Sequence, residues 1–264
     1  MTNNPIAVFD SGVGSISIIK ELQRETPNED LLYFADSFHF PYGNKSYAQL
    51  QEIILSSIKF LERYKPKLII LASMTPSVQI LHKVMAKTNV PIIGVIPPLR
   101  RAARLSKKKH IGIMATEGTV ASHELTALIR REISQEVRVS RFNASPVIEL
   151  IEKGIHVLDE RKTYNTISQL LMKSLGDGDI DVVFLCSTHL PLIQNYLKSL
   201  FPQVKFVDPS ATVAKEVRAF LRRNRMLRRS GRSRLQIITS ARNAQFEQTV
   251  RLMGIREPIK GVNP

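Results

Sequence analysis

Asp10-Ser11-Gly12-Val13-Gly14-Ser15 follows an apolar run at residues 6–9 and opens an amphipathic one. Glycines at such a junction let the backbone close on a ligand, and the free N–H groups of a first helical turn face an anion. The spacing is not that of a dinucleotide fingerprint, and no Gly-Lys-Ser/Thr phosphate loop occurs, so the stretch suits a small anion better than a nucleotide. Asp10 could equally serve only as a helix cap. Ser187-Thr188-His189 stands where another apolar run ends. A histidine beside a serine suggests nucleophilic catalysis. Side chains adjacent on a strand point to opposite faces, however, and the sequence displays neither the base arrangement nor the oxyanion hole of a hydrolase. Pro41-Tyr42-Gly43-Asn44-Lys45-Ser46 reads as a capped turn before a long helix, and Thr116-Glu117-Gly118-Thr119 offers hydroxyls and N–H groups that either hold a carboxylate or cap a helix. His39, His82, His110, His123 and His156 form no ligand spacing, and the single cysteine, Cys186, excludes a disulfide framework and a multi-cysteine metal site.

The elements that must position these residues alternate. Apolar runs at 6–9, 31–35, 68–72 and 92–96 predict strands, and amphipathic runs at 16–23, 47–64 and 77–85 predict helices between them. Strands apolar throughout, each followed by a helix, indicate a parallel sheet covered on both faces. Pro97-Pro98 interrupts the pattern as a linker. It then restarts, with strands at 111–115, 137–142, 182–186 and 205–207 and helices at 122–132, 147–153, 164–175 and 192–200. A helix at 211–222, a polar loop at 228–234, a strand at 235–238 and a helix at 244–252 complete it. The expected fold is α/β, with two similar parallel-sheet domains: residues 1–97 plus 209–264, and residues 98–208. The strand ends Leu71-Ala72-Ser73-Met74-Thr75-Pro76 and Leu185-Cys186-Ser187-Thr188-His189-Leu190-Pro191 rhyme, and carboxyl ends of strands are where open α/β sheets bind ligands.

With 264 residues, 43% of them hydrophobic, the chain can bury a full core, and no apolar run reaches the ~20 residues of a membrane helix. Met1-Thr2-Asn3-Asn4-Pro5 has no basic region or long apolar stretch of a secretory signal, so a cytoplasmic location is expected. The net charge is +15, and residues 215–260 hold thirteen basic against three acidic side chains. Such a field attracts acidic metabolites, nucleic acid or anionic lipid, although a solvated basic face is the simpler explanation and nucleic acid the less favoured partner.

Taken together and in order, Ile6-Ala7-Val8-Phe9-Asp10-Ser11-Gly12-Val13-Gly14, Tyr33-Phe34-Ala35-Asp36-Ser37, Pro41-Tyr42-Gly43, Ile92-Ile93-Gly94-Val95-Ile96, Thr116-Glu117-Gly118-Thr119 and Thr188-His189 resemble the glutamate racemase family over nearly the whole chain. The resemblance implies two α/β domains with the active site in the cleft between them, no cofactor and no metal, and an interconversion of L- and D-glutamate in which one thiolate removes the α-proton and an opposing thiol returns one. It places the two proton-transfer posts at Ser73 and Ser187, with Asp10 assisting the first and Glu152 and His189 the second. It assigns Ser11, Tyr42, Gly43, Thr75, Thr119 and Thr188 to holding glutamate or a related acidic amino acid. A role in peptidoglycan synthesis, no membrane association and a homodimer as one open assembly also rest only on the resemblance.

The departures concern the chemistry. The family's Ala-Cys-Asn-Thr is here Ala72-Ser73-Met74-Thr75, and its Gly-Cys-Thr-His is Cys186-Ser187-Thr188-His189. A thiol ionises near pH ~8.5, within reach of tuning to neutrality; an alcohol does not, and a general base works best when its pKa lies near the working pH. Met74 cannot make the hydrogen bonds of an asparagine. Cys186, one residue early on its strand, is expected to point away from Ser187 and to be a buried, inert thiol. Three functions are therefore carried forward: a racemase by descent, weak or inactive; a non-catalytic regulator that binds glutamate or another acidic metabolite; and a polyanion-binding protein acting through its basic carboxy-terminal segment.

Overall fold

The structure, a computed structural model, describes residues 4–264; Met1, Thr2 and Asn3, part of the amino-terminal stretch weighed above as a signal, lie outside the described residues. Among the described residues ten strands are formed: β1 Ile6–Asp10, β2 Leu31–Ala35, β3 Leu68–Leu71, β4 Ile92–Gly94, β5 His110–Ala115, β6 Arg138–Asn143, β7 Val182–Cys186, β8 Lys205–Val207, β9 Leu235–Thr239 and β10 Ile259–Gly261. They make a six-stranded sheet in the order β10-β9-β2-β1-β3-β4 and a four-stranded sheet in the order β6-β5-β7-β8. Every pairing is parallel. The expected two-domain α/β architecture is the one found.

The apolar runs are explained by what covers them. On β1, Ile6 and Val8 join a core that continues into the second sheet through Ile111, Ile113 and Phe184. Ala7 and Phe9, on the other face, pack under the helix Tyr47–Glu62 with Leu50, Ile54 and Leu61. Alternate residues thus serve two cores, and no position is left for a polar side chain. That helix begins where a capping box dictates: Ser46 accepts from the Gln49 N–H and Gln49 returns the bond to the Ser46 N–H.

Several boundaries differ from the sequence expectation. The single helix expected at 77–85 is two, Met74–Gln79 and Leu81–Met85, broken at Ile80 (φ −128°, ψ 0°). Pro76 lies within the first turn of the former, where its missing N–H costs nothing. The basic run after Pro98 contains a helix, Leu99–Leu105, which buries Leu99 and Ala102 and turns Arg100 and Arg101 to solvent. The helix expected from residue 164 starts at Glu160 because Asp159 caps it, accepting from the Lys162 N–H at 2.9 Å. The edge strand β10 has no counterpart among the strands expected from the sequence.

One buried ion pair ties the amino ends of the large sheet together. Lys67, just before β3, and Glu29, just before β2, are both buried and hydrogen-bonded. Lys67 Nζ also donates to the Met226 carbonyl (3.0 Å), and Glu29 accepts from the Arg228 N–H (2.7 Å). Removing one member of such a pair strands the other charge, a loss of about 3–5 kcal/mol. Lys67→Met should therefore lower the urea midpoint strongly, and Lys67→Met with Glu29→Gln should regain most of it. A single variant as stable as the wild type would show that the pair carries no such load.

Candidate active site

The central strands of the two sheets aim their carboxyl ends at one another. Asp10 ends β1, and Ser73 follows its neighbour β3 by two residues. Across the gap, Thr116 follows β5 and Ser187 follows β7, again adjacent strands. Ser73 and Ser187 line one narrow cavity, together with Asp10, Ser11, Tyr42, Gly43, Thr75, Thr188 and His189. Glu152 and Thr119, the remaining two residues of the expected site, do not line it. Glu152 stands behind His189 and faces a neighbouring cavity bordered by Phe40, Pro41 and Phe246. Thr119 is fully buried and reaches the cleft through Thr75, at 2.9 Å, and Thr116, at 3.0 Å.

The opposing walls are stitched by hydrogen bonds. Thr188 Oγ1 donates to Asp10 Oδ2 (3.0 Å), and Ser17 Oγ donates to the Thr188 carbonyl (3.0 Å). The Val13 N–H donates to Glu152 (3.0 Å to Oε2), whose carboxylate also meets His189 Nε2 at 2.8 Å. Thr75 joins Thr116 at 3.2 Å. Such closeness demands the absence of side chains. A Cβ on Gly118 would strike the Gly43 carbonyl oxygen, and one on Gly14 would strike Thr188 and His189.

His189 and Ser187 turn toward each other. The strand ends at Cys186, so alternation does not govern the residues beyond it, and the Ser187 Oγ lies 3.5 Å from His189 Nδ1 and 3.4 Å from the His189 N–H. A base arrangement that the sequence does not reveal is thus present: Ser187, His189 and Glu152 in a chain. Its proton inventory weakens it as a base. Burial alone would lower the His189 pKa, but the hydrogen bond and charge of Glu152, with the charge of Asp10, outweigh burial and hold it above 6.5. In the charged form Nε2–H donates to Glu152 and Nδ1–H to Ser187, which leaves the hydroxyl proton of Ser187 free to face the cleft. Asp10 is buried, and burial raises its pKa against the opposing His189 charge, the Ser11 N–H and the hydroxyls of Ser73 and Thr188.

The same strand end explains Cys186. It borders the cavity rather than being turned wholly away from it, and burial pushes its thiol far above the usual range, so it is inert as a base. Met74 is buried in the cavity wall, and the cavity holds only about 30 Å³, room for very few water molecules. Phe40, Thr116 and Ile148 also line it. Thr116 was within reach of the sequence as part of Thr116-Glu117-Gly118-Thr119; Ile148, one apolar residue on the helix Ser145–Glu152, carried no signal. Among the described residues no cluster of three or more His, Cys, Asp or Glu is placed to hold a metal, and no helix is long and apolar enough to cross a membrane.

A family model for Asp/Glu/hydantoin racemases matches residues 8–217. The glutamate racemase of Haemophilus influenzae (strain PittGG) is 32% identical over 256 residues, 94% of this chain and 93% of that protein. The crystal structure of a Bacillus anthracis glutamate racemase isoform superposes with a TM-score of 0.86 at 26% identity, covering 98% of this chain and 97% of that one. Escherichia coli glutamate racemase, solved in complex with L-glutamate and the activator UDP-MurNAc-Ala, gives a TM-score of 0.86 at 27% identity over 98% of each chain.

The charge state of His189 is directly measurable. A raised pKa means that the stabilisation from the His189–Glu152 contact is complete below the unfolded value near 6.5 and is lost as pH rises through the folded value. An NMR titration should find the His189 ring protons shifting above pH 6.5, and Glu152→Gln should move that transition down. A wild-type transition at or below 6.5 would remove the imidazolium from this description.

Proposed function

Because the chain belongs to the Asp/Glu/hydantoin racemase family, we propose that its cleft binds glutamate or a related acidic amino acid and transfers the α-proton weakly or not at all. The observation that carries this is the pairing of each hydroxyl with an ionisable companion in one cavity: Ser73 with Asp10, and Ser187 with His189 backed by Glu152. Two acid/base posts on opposite faces of a carbon are the minimum for inverting it. In this reading Ser73 and Ser187 stand at the two posts, and what they lack is acidity. A serine hydroxyl gives almost no alkoxide at neutral pH, and burial raises the Asp10 pKa beside Ser73. Glu152 and Asp10 raise the His189 pKa against its burial, which favours the form that has no basic nitrogen to accept the Ser187 proton.

In this reading Ser11, Tyr42, Gly43, Thr75 and Thr188 contact the ligand and Thr119 acts by fixing Thr75. The lobes divide into residues 1–97 plus 209–264 and residues 98–208, and in this reading they part to admit the ligand into the narrow cavity between the facing strand ends. Met74 in the wall favours the second form of the reading, a binding protein or regulator, over an efficient isomerase. The racemase structure that contains L-glutamate supports the choice of ligand class.

Calorimetry with L- and D-glutamate, coupled with deuterium incorporation at Cα in heavy water, tests both halves. Wild type should bind at least one enantiomer and exchange its α-proton below an ordinary enzymatic rate by about 10²–10⁴-fold or more, the usual loss for a missing general base. Ser73→Cys or Ser187→Cys alone should raise exchange from one face without full inversion. Both together, with Met74→Asn to restore a polar wall, should yield measurable racemisation. A wild-type turnover of ~1–1000 s⁻¹ would overturn the reading of the serines, and no binding of either enantiomer would overturn the reading of the cleft.

A further inference from the structure

We propose that the arginine-bearing segment at residues 222–234 is a platform for the phosphodiester backbone of duplex DNA, bound without regard to sequence. The segment begins where the helix Ser210–Arg223 stops. Arg225 adopts a left-handed conformation (φ 56°), and the Met226 and Leu227 N–H groups both return to the Leu221 carbonyl, at 2.8 and 3.2 Å, so that the chain reverses. From there it is pinned to the amino end of the large sheet. Lys67 holds the Met226 carbonyl, Glu29 holds the Arg228 N–H, Asn28 donates to the Arg229 carbonyl at 3.0 Å, and Asp30 accepts from the Arg234 N–H at 2.9 Å.

The result is a fixed backbone with its cations outward. Arg222, Arg223, Arg225, Arg229, Arg232 and Arg234 are all solvent-accessible, and none makes an ion pair among the described residues. The nearby carboxylates are already engaged: Glu25 with Arg218 at 3.3 Å, Asp30 with Arg228 at 3.0 Å, and Glu29 with Lys67. A solvated charged face needs no such anchoring. A free tail would leave its cations mobile, whereas this backbone is held at several points along its length and presents six exposed arginines within residues 222–234. Cations at a helix end interact favourably with its dipole, but that accounts only for those in the last turn.

The chemistry of the surface selects the partner. Planar guanidinium groups match phosphate oxygens in a bidentate fashion. The segment carries no aromatic side chain on which unpaired bases could stack, so single strands are disfavoured. Its apolar residues, Met226 and Leu227, pack against the core and are not available for insertion into a lipid surface. What remains is contact with backbone phosphates, which positions a duplex without reading it. The surface lies at the amino ends of β2 and β3, whereas the cleft lies at the carboxyl ends of β1 and β3, so occupation of one leaves the other open.

Fluorescence anisotropy of a labelled 20-base-pair duplex, titrated with the full-length protein between 50 and 200 mM salt, tests the proposal. Up to six phosphate contacts give a slope of log K against log salt approaching about −5, a loss of roughly 10³-fold in affinity over that range. Arg222→Gln, Arg225→Gln, Arg229→Gln and Arg232→Gln combined should reduce the slope by about 3–4. Arg101→Gln, Arg104→Gln and Lys107→Gln, in the other basic run, should leave it in place. Circular dichroism of both variants establishes that they are folded. Absence of binding at 50 mM salt, a slope indifferent to the quadruple variant, or an equal loss in the control variant would each overturn the platform. Tighter binding to phosphatidylglycerol vesicles or to a single strand than to the duplex would overturn the choice of partner.

Discussion

The Glu152 carboxylate belongs to one wall of the cleft and is held by the other. It ends a helix of the smaller lobe, yet its oxygens accept the Val13 N–H from the larger one and face His189 at 2.8 Å. A half-buried carboxylate needs donors on most of its lone pairs, and it finds them only when the two sheets present their strand ends to each other at this distance. The closeness of Gly14 to the Thr188-His189 turn and the Asp10 charge that helps raise the His189 pKa both depend on that arrangement. A domain folded alone would keep the chain from Glu152 through His189 to Ser187 but would lose the Val13, Asp10 and Ser17 contacts that cross the cleft.

On the function proposed above, this arrangement keeps a polar network around groups that ionise poorly. Both serines are buried, each has an ionisable neighbour, and hydrogen bonds cross the cleft on both sides of them. On the reading proposed here, the polar network fixes a ligand and the wall at Met74 narrows the space left for it. Such a network rigidifies a binding site whether or not it catalyses, because every buried polar atom left unpaired would be costly.

The strands were legible where a run was apolar between turn residues; residues 31–35 and 182–186 needed no adjustment, nor did 205–207, where Lys205 leads into two buried apolar residues. The helix Leu99–Leu105 escaped because its two buried residues are outnumbered by arginines and follow two prolines. β10 escaped because three mostly exposed residues have no pattern of their own; their strand character comes from pairing with β9. The site residues were legible as motifs carried by a family resemblance. The resemblance grouped Glu152 and His189 with Ser187, but their order as a chain, Glu152 to His189 to Ser187, was not legible, since it runs through a turn that cancels strand alternation. Nor did the sequence indicate that Thr119 works from behind Thr75.

The strand order of the larger sheet sets a schedule for biosynthesis. β2 pairs on one side with β1, close in the chain, and on the other with β9, about two hundred residues later. The smaller sheet is built from one continuous stretch, β5 to β8, and can close as soon as Val207 has left the ribosome. The larger one must wait with the β2 edge bare until Thr239 emerges, a long-range closure of the kind that slows folding and exposes nascent chains to aggregation. Translation thus completes the lobe that begins second before the lobe that begins first, and the cleft between them is the last part of the molecule to come into being.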